Sequence, residues 1–138
     1  MKKFGHCDGL IIHAGINHLL RGREITAEAE EIVEQEIQET MRRIEDSFGT
    51  EGIKIWCGLI PTHRKPAEWN ARLMKLNNSI KDICKQHNWG YAHPHGFLTN
   101  GQTSQENYTD DLHLGWPGRN LHARNITNAI SHQSNQEN

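Results

Sequence analysis

An α/β domain built on a parallel sheet is the fold class this sequence predicts, and three observations predict it. Residues 9–14 (Gly-Leu-Ile-Ile-His-Ala) and 53–60 (Ile-Lys-Ile-Trp-Cys-Gly-Leu-Ile) are short apolar runs without strict in–out alternation, the pattern of strands buried on both faces. Two longer stretches between and after them carry apolar residues at three- and four-residue steps. Strand and helix therefore alternate, which is the signature of βαβ units with right-handed crossovers.

The elements follow in order. The first strand covers residues 9–14 and ends at Gly15. The first helix spans residues 26–48: Ala29, Ile32, Val33, Ile37, Met41, Ile44 and Phe48 form its stripe. Thr26 is its expected N-cap, Glu28 and Glu30 suit the positive end of its dipole, and Gly49 is its stop. The second strand, residues 53–60, is ended by Pro61. The second helix runs from about Pro66, placed in its first turn, to His87, with Trp69, Leu73, Leu76, Ile80 and Ile83 along one face. A third short strand covers residues 90–93. A loop rich in Gly, Thr, Asn and Gln follows over residues 96–108. The last helix is expected from Pro117 to about Ile130, with residues 131–138 a frayed polar tail. No internal repeat or linker divides the chain, so residues 1–130 are read as one domain.

Composition narrows the function classes. The chain has 138 residues, enough to bury a core. Hydrophobic residues make up 35% of it and mean hydropathy is -0.78, so one very polar face or polar tail is expected. A net charge of -2 gives no footprint for a nucleic-acid backbone. Nine of the 17 acidic residues lie between Glu24 and Asp46, against Arg42 and Arg43; this reads as a solvated helix face, with a docking surface as the other reading. The three cysteines, Cys7, Cys57 and Cys84, are odd in number and far apart, which fits a reducing, intracellular setting. No signal peptide and no membrane-spanning run is visible.

In open α/β sheets ligands bind beyond the carboxyl ends of the strands. Those ends here are Gly15-Ile16-Asn17-His18, Pro61-Thr62-His63-Arg64 and His93-Pro94-His95, all polar and rich in His. Two constellations stand out. In Asp110-Asp111-Leu112-His113 a carboxylate three residues before an imidazole can fold back onto it, fix its tautomer and let the other ring nitrogen act as a base. The bland reading is a capping Asp and a surface His. Asn17, at the end of the first strand, can donate its amide to a developing oxyanion, an interaction worth roughly 3 kcal/mol in the transition state; the bland reading is an Asn favoured in a turn.

Taken together these segments resemble the SGNH (GDSL-type) hydrolases, over about residues 8–130. Asp8-Gly9-Leu10-Ile11-Ile12-His13-Ala14-Gly15-Ile16-Asn17 resembles the family's third block, and Asp110-Asp111-Leu112-His113-Leu114, with Gly118, Leu121 and Ala123-Arg124-Asn125-Ile126, resembles its fifth. The esterase-like domain of LINE-type retroelements is the variant it looks most like. The resemblance implies a three-layer, flavodoxin-like α/β/α domain that hydrolyses carboxylic esters through a serine. It implies that His113 is the general base, Asp110 its orienting partner, Asn17 the oxyanion-hole side chain and Gly15 a point of close backbone approach. Trp56 and Leu59 would be sheet core. The implied substrate is a small-molecule, lipid or carbohydrate ester, with no cofactor and no metal.

The departures from the family pattern are specific. The nucleophilic serine belongs to a block on a strand well before Gly-x-Asn, and no serine precedes Gly15 here. The second block has no counterpart, His18 stands where the family has Asp, and Asp111 where it commonly has Gly. Ser47 and Ser79 read as helix surface, Ser131 and Ser134 as tail, and Ser104 and Cys7 as poor substitutes for a nucleophile held by a rigid scaffold. The expectation is a domain missing its first strand or two, a fragment rather than a degenerate copy, with little serine-dependent activity as it stands. An unpaired first strand over Leu10-Ile11-Ile12 would invite self-association. Two other classes remain open: a protein-interaction module using the acidic helix face and the first strand, and a metal site drawn from His63, His93, His95 and His113.

Overall fold

A computed structural model describes residues 9–14, 19–109 and 113–137. Along the chain lie β1 (Gly9–Ile12), α1 (Ala27–Phe48), β2 (Ile53–Cys57), α2 (Ala67–Gln86), β3 (Gly90–Ala92), a hairpin of β4 (Leu98–Thr99) and β5 (Gln102–Thr103), a 3-10 turn over Gln105–Asn107, and α3 (Trp116–Glu137). β1, β2 and β3 form a parallel sheet in that order, with Ile12 opposite Trp56 and Cys57 opposite Ala92. The chain is α/β, as the strand–helix alternation requires. Among the described residues no helix is long and apolar enough to cross a membrane.

Local chemistry sets the helix ends. Thr26 caps α1, its Oγ1 accepting from the Ala29 N–H at 3.1 Å. Gly49 stops it at φ 83°, its N–H donating to the Glu45 carbonyl at 2.8 Å. Val33, Ile37 and Met41, four apart, are the buried line of α1. Ile32 falls off that line and is 49% exposed. α2 starts after Pro66, which is its N-cap rather than a residue of its first turn. Trp69, Leu73, Leu76, Ile80 and Ile83 all bury, each contributing about 1.5–3 kcal/mol relative to exposure.

The sheet has two unequal faces. α1 and α2 cover one, enclosing Trp56, Leu59, Leu73, Leu76, Ile80 and Trp89. α3 covers the other over β2 and β3, where Ile55, Cys57, Ala92 and Ala129 meet, with Ile53, Ile126 and Ile130 at the margin. On β1 the face shared with α3 is open, and Ile11 is 47% exposed.

Three elements depart from the sequence reading. β2 ends at Cys57, three residues short of Ile60; the Gly58 N–H still donates to the Ala92 carbonyl at 2.9 Å, but the backbone from Leu59 on bonds to side chains instead of a strand. Leu59 donates to Asn77 Oδ1 and accepts from Asn77 Nδ2, both at 2.8 Å. Thr62 makes the same pair with Asn70 at 3.0 and 2.9 Å. Residues 96–108 contain the β4–β5 hairpin, whose turn residues Asn100 and Gly101 have φ of 54° and 78°, the conformation that Asn-Gly supplies. α3 continues to Glu137 rather than ending near Ile130. Gln133 explains the extension: its Oε1 accepts from the Lys54 N–H at 3.0 Å and its Nε2 donates to the Asn88 carbonyl at 3.2 Å.

Candidate functional site

The segment that precedes α3 lies against the residues that follow β2. Tyr108 is the anchor of that segment. Its hydroxyl donates to the Pro61 carbonyl beyond β2, and its ring stacks with His63 at 6.1 Å between centroids. Burial pushes the Tyr108 phenol up to about 12, so it stays protonated and donating. Tyr108 also pairs with Leu114 in an antiparallel bridge. Thr109 donates to the His113 carbonyl through its N–H at 2.8 Å and its Oγ1 at 3.2 Å. His113 is thus tied to the sheet's carboxyl edge through Tyr108, and its residue is exposed.

Of the four residues expected to form the base and the oxyanion hole, His113 alone lies within the described set. Asp110, Gly15 and Asn17 lie outside the described residues, as do Cys7 and His18. Ser104 is half-buried and lines a groove of about 610 Å³ against Pro117, Asn120, Leu121 and Arg124 of α3. His113 is not part of that groove's lining.

No family model matches this chain, and no curated protein matches it.

The histidines weighed as metal ligands do not gather as a group. His63 Nδ1 is 2.7 Å from Thr103 Oγ1, and His93 lies against Tyr91 with centroids 6.1 Å apart. A different set converges among the described residues: His13, Cys57 and His122, whose candidate ligand atoms all lie within 4.8 Å of one another. The two imidazoles meet edge to face, 5.2 Å between centroids at 74°. Burial pushes the Cys57 thiol up to about 11. Desolvation lowers the His13 pKa, and desolvation together with His13 lowers that of His122. At neutral pH all three are uncharged.

Sequence reasoning passed over this set, although part of the signal was present. His13 lies in the first apolar run and Cys57 in the second. His122 stands four residues before Ile126, seven before Ala129 and eleven before Gln133, the stripe that α3 turns to the sheet.

Proposed function

We propose that this domain is the carboxy-terminal part of an SGNH-type acyl-hydrolase fold, with a base and an oxyanion hole but no nucleophile of its own. The observation that carries the reading is strand order. A flavodoxin-like sheet runs 2-1-3-4-5. Its strands 3, 4 and 5 lie side by side, parallel and in chain order, as β1, β2 and β3 do. In that topology the helices after strands 3 and 4 share one face and the helix after strand 5 takes the other. α1 and α2 share a face here and α3 takes the other.

The same topology gives the missing chemistry a location. Strand 1 would lie along the outer edge of β1, where the described residues contain no strand. The ligand crevice of such sheets opens between strands 1 and 3, which on this reading is the carboxyl end of β1. A serine delivered there would attack the ester carbonyl while His113 takes its proton. Asp110 would hold the imidazole, and the Asn17 amide would donate to the oxyanion.

The reading is tested by labelling with a fluorophosphonate probe and by p-nitrophenyl acetate hydrolysis. The chain of 138 residues is expected to be unlabelled and inactive. The same chain joined to the in-frame segment encoded upstream of Met1 is expected to be labelled, and to lose activity on His113→Ala. Labelling of any serine in the 138-residue chain, or an upstream segment that confers none, would sink the proposal.

A further inference from the structure

We propose that His13, Cys57 and His122 bind one borderline-soft transition-metal ion of the zinc type, leaving a coordination position open. The inference does not depend on the acyl-hydrolase reading.

Three separate elements deliver the donors. His13 follows β1, Cys57 ends β2 and His122 sits on the sheet-facing stripe of α3. Cys57 is fixed by strand pairing with Ala92 and is 1% exposed. Tetrahedral zinc holds His nitrogen at about 2.0–2.1 Å and thiolate sulfur at about 2.3 Å, so its donors stand roughly 3.4–3.6 Å apart. The donors lie within 4.8 Å of one another, so closing to that spacing takes at most about 1.4 Å of movement. His13 can supply it, because it lies beyond the last paired residue of β1 and is exposed.

Packing alone accounts poorly for the set. A buried cysteine behaves as a small hydrophobe and needs no imidazole beside it. Lower on the same face, β2 meets α3 through Ile53, Ile55, Ile126 and Ala129. At the carboxyl edge that apolar contact gives way to a thiol and two imidazoles, one following β1 and one on α3. Sulfur and nitrogen donors select zinc, cobalt and copper over magnesium and calcium. Binding would form a metal–sulfur bond and release the Cys57 thiol proton to solvent. Three protein ligands leave the fourth position for water or an incoming oxygen or nitrogen donor, the arrangement of reactive rather than structural zinc sites.

The test is a cobalt(II) titration of the chelator-stripped chain. A thiolate-to-cobalt charge-transfer band should grow to saturation at one equivalent and be displaced by zinc. Cys57→Ser should abolish the band, and Cys84→Ser should leave it. His13→Asn, at an exposed position checked for folding by circular dichroism, should weaken zinc at least about tenfold, the loss that even outer-shell changes bring. No band at one equivalent, a band that survives Cys57→Ser, or unchanged zinc affinity in folded His13→Asn would each overturn the site.

Discussion

Trp56 and Cys57 are neighbours on β2 and point to opposite faces of the sheet, and the two faces are built differently. The Trp56 face is closed by two helices, and Leu73, Ile80 and Met41 beneath them have no exposure. Even its rim is tied: Glu45 Oε1 on α1 accepts from Trp89 Nε1 and contacts His87 Nδ1, each at 3.1 Å. The Cys57 face has one helix, a small apolar cluster, an open strip over β1 and ionisable groups at its carboxyl end. The difference teaches that the two faces of one strand can be closed to very different degrees. Side chains on the first face are fixed by volume, and those on the second have room to be fixed by something else.

The sharpest way to break this comparison is to remove matched bulk from both faces. Leu73→Ala, under α1 and α2, should cost about 2–5 kcal/mol through lost burial and a residual cavity. Ile11→Ala, on the open strip, should stay within about 0.5 kcal/mol. Urea unfolding of both variants decides it, and equal losses would mean that the faces are equally packed.

A slightly smaller effect is expected from the amides that hold the strand exit. Asn77→Ala removes both partners of the buried Leu59 backbone. Each stranded group costs about 1–3 kcal/mol, so a loss of at least about 2 kcal/mol should appear in the same assay. A loss below about 1 kcal/mol would show that water replaces the amide.

The smallest effect concerns pH at the rim of the closed face. Desolvation lowers the His93 pKa from 6.5, helped by the positive charges of His95 and Lys81. The folded state therefore binds this proton less readily than the unfolded chain. Stability should be level above about pH 6.5 and fall as pH drops from there toward the depressed value. His93→Asn should flatten that slope in metal-free buffer. An unchanged slope would assign the dependence to other groups.

The closed face was the more legible in the sequence. The cap at Thr26, the stop at Gly49 and the apolar steps of α1 and α2 are local signals, and each acts within a few residues. What escaped was non-local. Asn70 and Asn77 look like ordinary polar positions on a helix until the exit of β2 is packed against them. The Asn100-Gly101 turn was legible in principle but was hidden inside a stretch whose composition reads as loop. α3 runs past Ile130 because Gln133 finds backbone partners at Lys54 and Asn88, which no periodicity announces. At the carboxyl edge the sequence singled out the residues after each apolar run and the segment before α3, and passed over His13 and Cys57. It did not bring His122 to them, because that requires the pose of α3 on the sheet.

That pose depends on a glycine. Gly118 lies in the first turn of α3, where an added Cβ would collide with the Asn107 carbonyl. The carbonyl is already held there, accepting from the Gly115 N–H at 2.8 Å. His122 follows one helical turn later on the same rod. The missing methyl at position 118 therefore acts as a gauge block: it sets how close the start of α3 may come to the 3-10 turn over Gln105–Asn107.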